Sequence, residues 1–428
     1  MKSATLTTNI HLGSDHIPVM AETQVYYALL AINATLGEWF EPKLPLNLCF
    51  VVDSSTSMKG QPIEMVRRVI NALSKWLQPE DQISIVSFND RAETIIPPTR
   101  ILDMGNISVQ ISKIHPKGGT EIFQGLKRGY VQLIRAGNFK KSISHLILIS
   151  DGQTYGDEEI CRKLVLNMNQ EGIIFSAVGI GDEWNDELLD ELVGISGGEV
   201  RYSARAEQFP LEMESLIIKL QSKSIPGLSF GWQVGEGCQI KKIYRLDPDV
   251  MPLQIKDNTC CLGAISPDST THLLFELSIE PQLEPTTELA IFAANIKINS
   301  SFDELDIYSA PILVCAPVRK GAVGTVMPTN ILVQALNMVT MYTMQDNARK
   351  LIRLGNVSEG VWILANVAKQ LKSQGNVTLA NRVETEVEFV NLHQNYSQGG
   401  EKTIKYSTRL LPAFRPVLTN RDETRKVE

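Results

Sequence analysis

Residues 46–57 read LNLCFVVDSSTS, a largely apolar run that ends in one carboxylate and four hydroxyl side chains. The apolar part is typical of a strand buried on both faces of a parallel sheet. An ordinary strand-to-helix turn needs one capping residue, so Asp53, Ser55 and Ser57 at alternate positions require another explanation. The stretch therefore predicts a buried strand with a polar site at its end.

Three further apolar runs, QISIVSF, SHLILIS and GIIFSAVGI, follow at intervals before residue 181. Helix-like segments lie between them. The first has Ile63, Val66 and Ile70 at helical spacing, with Pro62 near its start. Alternating strands and helices predict a doubly wound, Rossmann-like α/β domain over residues 44–222.

The sequence pattern changes on both sides of this domain. Residues 223–320 contain short strand-like runs separated by Gly, Pro, Asp and Asn turns, which predicts an antiparallel β-sandwich. Residues 1–43 look similar and are expected to pair with those strands, so that the α/β domain is inserted in the sandwich or followed by it. Residues 326–397 predict a C-terminal α-helical region, and residues 398–428 predict a polar, mobile tail.

Composition narrows the class of protein. The 428 residues are 43% hydrophobic and carry a net charge of −7, which argues against nucleic acid as the main partner. The first 20 residues lack the apolar core of a signal peptide, and no apolar run approaches the roughly 18 residues of a membrane span. Six scattered cysteines favour reduced thiols. We therefore expect a cytoplasmic protein that does not enter a membrane.

Two more polar positions belong with the opening stretch. Asp151 follows the apolar run LILIS, and Thr120 follows Gly118 and Gly119 just before a helix. Because the carboxyl ends of parallel strands meet at one edge of a sheet, these residues can converge there. The full candidate set offers only oxygen ligands: Asp53, Ser55, Ser57, Thr120 and Asp151. That donor set suits a hard divalent cation, with Mg²⁺ as the first expectation and Mn²⁺ or Ca²⁺ as alternatives.

The elements DSSTS, GGT and SDG, in this order and strand context, resemble the metal-ion-dependent adhesion site of von Willebrand factor A (VWA) domains. The resemblance covers roughly residues 44–220, and all five polar positions match. It implies that the serines and the threonine contact the metal and that the aspartates act partly through water. The wider layout is similar to bacterial intracellular proteins of this family, which often work with AAA+ ATPases of the MoxR type.

These observations favour a non-enzymatic interaction module in which an Asp or Glu of a protein partner completes the metal shell. The main alternative is a Mg²⁺-dependent hydrolase of phosphate esters, since an oxygen-only metal site can support one. A membrane-associated channel regulator is a third possibility, disfavoured by the lack of a spanning segment. Asp53 and Ser55 could instead merely cap the following helix, and Thr120 could cap another. Gly118 and Gly119 could cradle a phosphate.

The remaining polar features have simpler explanations. His115 and His145 are expected to be structural, because no Ser-His-Asp or Cys-His arrangement is evident. Asp157, Glu158 and Glu159 are expected to form a solvated helix start that suits the helix dipole.

Overall fold

A computed structural model describes residues 2–37, 44–101, 107–136, 142–154, 156–221, 225–267, 269–298, 305–321 and 328–410. Within these ranges the chain forms a two-sheet β-sandwich, an α/β unit and a C-terminal group of helices. The fold class predicted from the sequence is confirmed.

The sandwich contains strands from both ends of the strand-rich sequence. Three of them precede the α/β unit: β1 Lys2–Leu12, β2 Ile17–Pro18 and β3 Gln24–Leu36. The others follow it: β10 Ile225–Val234, β11 Cys238–Arg245, β12 Met251–Pro252, β13 Thr259–Ile265, β14 Thr271–Ile279, β15 Thr286–Ile298, β16 Leu305–Ser309 and β17 Ile312–Arg319. The sheet orders are β12-β11-β14-β3-β1-β16 and β13-β10-β15-β17-β2.

Strands from before and after the α/β unit lie side by side in these sheets. β3 pairs antiparallel with β14, with Leu30 opposite Leu273, so the α/β unit is an insertion between β3 and β10. Buried side chains of both sheets, such as Phe230 and Phe275, share one hydrophobic core. The pairs β1–β16 and β2–β17 are parallel, which differs from the purely antiparallel prediction. These partners are distant in sequence, so no hairpin fixes their direction.

The α/β unit begins with β4 Leu46–Asp53 and ends with a helix. Its elements are, in order: β4, α1 Gln61–Ala72, β5 Gln82–Phe88, β6 Ala92–Arg100, α2 Ile107–Ile111, α3 Ile122–Arg135, β7 Ile143–Ser150, α4 Glu158–Gln170, β8 Ile174–Ile180, α5 Asp186–Ser196, β9 Val200–Ser203 and α6 Phe209–Leu220.

The sheet has the order β6-β5-β4-β7-β8-β9, and its central strands are the apolar runs of the sequence. Every residue of β4 and β7 is buried, because helices cover both faces of the sheet. All pairings are parallel except that of β5 with β6. The chain leaves β4 toward β5 on one side and returns to β7 on the other. The switch point of the topology therefore lies between β4 and β7.

The C-terminal helices extend further than the sequence suggested. They are α7 Asn330–Arg353, α8 Val357–Ser373, α9 Val377–His393 and α10 Gly400–Arg409. The prediction of a polar, mobile tail from residue 398 is wrong for α10, which is a helix with a buried face; residues 411–428 lie outside the described residues. Half of its buried residues are charged, so its hydrophobic pattern gave no helical signal.

The helices contact both other parts of the protein. The first half of α7 packs on the sandwich, where Leu332 and Ala335 share a hydrophobic cluster with Leu274 of β14. α10 binds the α/β unit through charge, since Lys405 and Arg409 are buried against carboxylates of α5. In the described part of the chain, none of the helices has the length and hydropathy that crossing a membrane requires.

Removing Arg409 should destabilise the protein strongly. Its guanidinium is 1% exposed and donates to Asp190 Oδ1 at 2.6 Å and Asp249 Oδ2 at 2.8 Å. Arg409→Met would leave buried carboxylates undercompensated, so we expect the free energy of unfolding to fall by about 3–5 kcal/mol in urea denaturation. Lys372→Met, which breaks an exposed pair with Glu384, should cost less than about 1 kcal/mol. Equal midpoints for the two variants would contradict this assignment.

Candidate functional site

The two aspartates of the candidate site lie at the topological switch point. Asp53 is the last residue of β4, and Asp151 follows directly after the end of β7, the neighbouring strand. The parallel register, with Val52 opposite Ile149, brings both strand ends to the same edge of the sheet. This is the edge at which doubly wound folds bind ligands.

Hydroxyl groups connect the two carboxylates. The Ser55 and Ser57 Oγ atoms are 2.9 Å apart, and Ser57 Oγ donates to Asp151 Oδ1 at 2.7 Å. The backbone N–H of Ser55 donates to Asp53 Oδ1 at 2.8 Å, which fixes the turn that leaves the strand. Four of the five predicted residues therefore form one hydrogen-bonded chain.

Thr120 joins this chain across Gly152. A Cβ atom on Gly152 would lie 3.0 Å from Thr120 Oγ1, 3.7 Å from Asp53 Oδ2 and 3.7 Å from Ser57 Oγ. Glycine at this position therefore lets three polar groups approach one backbone segment. All five sequence-predicted residues are brought together, although they are spread over three separate loops.

The electrostatics of the cluster are unfavourable without a cation. Asp53 is fully buried, and desolvation raises the pKa of its carboxyl group. Burial raises the pKa of Asp151 to about 6; the Ser57 hydrogen bond opposes this, and the charge of Asp53 adds to it. Among the described residues neither carboxylate forms an ion pair, so the cluster holds two poorly compensated negative charges.

Sequence reasoning missed a serine that supports Asp53. Ser150, the last residue of β7, is fully buried and donates to Asp53 Oδ2 at 2.6 Å. The Ser55 N–H bonds the other oxygen, Oδ1, so both oxygens of the Asp53 carboxylate are held in place. The available signal was a hydroxyl residue at the end of the apolar run LILIS, directly before Asp151.

Sequence reasoning also misjudged Asp157, which is 8% exposed rather than solvated. Its Oδ1 accepts a 2.6 Å hydrogen bond from Thr154 Oγ1, and its Oδ2 accepts from the Phe123 N–H at 2.8 Å. Thr154 Oγ1 also accepts from the Ile122 N–H at 3.3 Å. These bonds tie the loop that carries Asp151 to the start of α3, directly after Thr120.

The donor set fits a hard divalent cation. Two carboxylates and three hydroxyls supply only oxygen, and their negative charge matches a +2 ion. Within the described ranges no group of three or more His, Cys, Asp or Glu side chains forms a metal site. That finding is compatible with this cluster, because hydroxyls provide three of its five side chains.

The two histidines lie outside the cluster. His145 is near the start of β7, at the opposite edge of the sheet, with Nε2 2.8 Å from Ser176 Oγ. Burial lowers the pKa of His145 to about 4, so the ring is neutral at physiological pH. His115 is exposed on the loop before Gly118.

Comparison with protein families assigns two segments. Residues 47–216 match the von Willebrand factor type A domain, and residues 330–412 match the Sll0103-like, C-terminal alpha-helical domain. The first match contains all five site residues. The second contains α7 to α10.

Related sequences extend over parts of the chain. The uncharacterized protein sll0103 of Synechocystis is 25% identical over 64% of this chain and 66% of its own length. Inter-alpha-trypsin inhibitor heavy chain H2 of Sus scrofa is 30% identical over 38% of this chain. The chain spans 19% of that larger protein.

Two solved structures share the whole architecture. A von Willebrand factor type A protein from Catenulispora acidiphila aligns with a TM-score of 0.74 at 12% identity, covering 94% of this chain and 96% of that one. The ArnB paralog VWA2 from Sulfolobus acidocaldarius aligns with a TM-score of 0.53 at 13% identity, covering 94% and 98%. At such identities these matches establish the fold alone.

Replacing Asp151 should stabilise the metal-free protein above about pH 6. The folded-state pKa of Asp151 is raised from its ordinary 3.8 to about 6, so ionising this group opposes folding. The destabilisation caused by ionised Asp151 is absent below pH 3.8, grows as the pH rises to about 6, and then remains constant. Asp151→Asn keeps an oxygen for Ser57 and removes the charge. We expect a gain of about 1–3 kcal/mol at pH 7.5 in EDTA, measured by urea denaturation.

The pH dependence provides the control for this variant. The difference between variant and wild type should disappear as the pH falls toward 4, because both then carry a neutral side chain. The contribution of His145, which lies at the other end of the strands, is common to both proteins and cancels. An Asp151→Asn protein no more stable than wild type at pH 7.5 would contradict the assigned cost of burying this charge beside Asp53.

Proposed function

Because residues 47–216 are a von Willebrand factor type A domain, we propose that the polar cluster at its sheet edge binds a divalent cation and, through it, a protein partner. One observation carries the proposal. Asp53 and Asp151 lie buried in the same hydroxyl-lined cluster, with raised pKa values. A bound cation supplies the missing positive charge, and protein interaction is a common role of such domains.

The cation would be Mg²⁺, with Mn²⁺ and Ca²⁺ as alternatives. Ser55, Ser57 and Thr120 would hold it through hydroxyl oxygens, and the two aspartates would balance its charge. Ser150 would keep Asp53 oriented as a supporting residue. Three neutral ligands leave the ion electrophilic, so it can accept a further carboxylate at an open position.

The partner would supply that carboxylate from an Asp or Glu side chain. The family resemblance suggests MoxR-type AAA+ ATPases as the first partner class to test, in the cytoplasm. The cluster itself contains no imidazole or thiol, so we propose binding rather than catalysis at this site.

Removing one metal-binding hydroxyl should weaken metal binding without unfolding the protein. Thr120→Val keeps the shape of the side chain and removes Oγ1, so we expect the dissociation constant for Mg²⁺ to rise about tenfold or more. Isothermal titration with MgCl₂ provides the measurement. Thr99→Val, on edge strand β6, removes a hydroxyl whose one bond to a described residue is to the Pro97 carbonyl, and it should leave the constant unchanged. Unchanged Mg²⁺ affinity in Thr120→Val would argue against a metal role for this residue.

Partner capture tests the function itself. The tagged wild type and Asp53→Ala are each incubated with a bacterial lysate, once in Mg²⁺ and once in EDTA, and retained proteins are identified by mass spectrometry. We expect a protein that is retained only by wild type in Mg²⁺. Thr120→Val, which leaves the buried Asp53 in place, should lose the same protein. Equal retention under all conditions would make the metal site irrelevant to binding.

A further inference from the structure

We propose that three cations beside the site, Lys59, Arg91 and Lys117, select partners in which the metal-binding carboxylate is accompanied by further acidic residues. These three side chains are called the cationic rim. The inference rests on the proposed function, since it concerns the protein that binds through the metal. It adds the charge of the partner and the direction in which that partner lies.

Hydrogen bonds place two rim residues next to the metal-binding hydroxyls. Lys59 is two residues after Ser57, in the turn that follows β4. The Lys117 N–H donates to the Ser54 carbonyl at 2.7 Å, so the loop before Thr120 lies against that turn. A second hydrogen bond joins the same turn and loop, because the Thr56 hydroxyl donates to the Gly118 carbonyl at 2.9 Å.

The turn between β5 and β6 adds the third cation. The Asn89 N–H donates to the Arg91 carbonyl at 2.9 Å, which closes this turn. The Gly119 N–H donates to Asp90 Oδ1 at 3.0 Å, and this bond holds the turn against the Thr120 loop. Gly118 has a φ of +74°, and a Cβ there would lie 2.4 Å from Asp90 Oδ2. Glycine therefore permits the three loops to form one surface.

The rim carries excess positive charge. Lys59, Arg91 and Lys117 are all exposed, and none forms an ion pair with another described residue. Two carboxylates share these loops: Asp90 accepts the Gly119 N–H, and Glu121 accepts from Gln124 Nε2 at 3.3 Å. A fourth cation, Lys113, lies earlier in the Thr120 loop and bonds Gln110. These three loops therefore carry four positive and two negative side chains.

The opposite side of the site has the reverse polarity. Asp182 and Glu183 lie in the turn between β8 and α5, and they line one groove together with Gln153. Five carboxylates and two cations, Arg353 and Lys402, line this groove, so its net charge is negative. Gln153 is two residues after Asp151, so this acidic side begins where the metal-binding loop ends. The site is therefore flanked by cations on the β5 side and by carboxylates on the β8 side.

This arrangement has opposite effects on the two binding events. A Mg²⁺ ion neutralises Asp53 and Asp151, so the rim then dominates the local potential and attracts an acidic partner. The same cations repel the incoming Mg²⁺. Cations far from the site would not produce this pair of opposite effects. Neutralising the cationic rim should lower the affinity for acidic ligands and should leave the affinity for Mg²⁺ unchanged or increased.

The experiment uses three peptides on a biosensor surface, each with one central Asp flanked by Glu, Ser or Lys pairs. The full-length protein is injected in Mg²⁺ or in EDTA, at low and at physiological salt. We expect the Glu-flanked peptide to bind about tenfold more tightly than the Lys-flanked one in Mg²⁺, with the ratio falling as salt rises. The triple variant Lys59→Gln, Arg91→Gln, Lys117→Gln should lose that preference and keep wild-type or higher Mg²⁺ affinity in titration.

A matched variant separates local from global charge. Lys256→Gln, Lys320→Gln and Lys369→Gln remove three exposed lysines from the sandwich and helical region, so the net charge change is the same. This control should keep the peptide preference. Two results would contradict the role of the cationic rim but not the metal site. One is Mg²⁺-dependent binding of all three peptides with equal affinity, and the other is a preference for the Glu-flanked peptide that survives in the rim variant. No Mg²⁺-dependent binding of any peptide would overturn both proposals.

Discussion

The parallel pairing of β4 with β7 is the contact on which the site depends. It sets the end of one buried strand beside the end of another, so that Asp53 and Asp151 meet where helices and loops exclude water. Two carboxylates in such a place repel each other and lose hydration. The fold therefore brings together two carboxylates whose charge a bound cation would balance.

The remaining loops hold the hydroxyls around that pair. Ser55 and Ser57 follow β4 in a tight turn, and the Thr120 loop is tied to the Asp151 loop through Thr154 and Asp157. These hydrogen bonds join protein groups to one another and restrict the positions that the proposed ligands can take. Such preorganisation lowers the cost of ordering the site.

The sandwich and the helical region contact the α/β unit away from these hydroxyls. Arg245 of the sandwich donates to the carbonyls of Gly197 and Gly198, in the turn between α5 and β9. α10 places Lys405 and Arg409 against α5. The three parts are therefore joined by buried charge as well as by apolar packing. Buried ion pairs of this kind are costly to break, which favours one fixed arrangement of the parts.

Much of the site was predictable because its signals are local. DSSTS, GGT and SDG are short motifs, and the rule for parallel strand ends brings them together. Asp157 was not predictable, since an acidic residue at a helix start has the same sequence signature whether it is exposed or buried. α10 was missed for a related reason. Lys405 finds its partner Asp186 at a separation of 219 residues, and its charge suggests solvent when read alone.

We propose that a divalent cation binds among these five oxygen-bearing side chains. Crystals grown with MnCl₂ allow the ion to be located by anomalous diffraction at the manganese edge. If the cation binds there, we expect one strong peak about 2.1–2.3 Å from the hydroxyl oxygens of Ser55, Ser57 and Thr120. An ordered cluster without a peak, at a manganese concentration that saturates binding in solution, would contradict it.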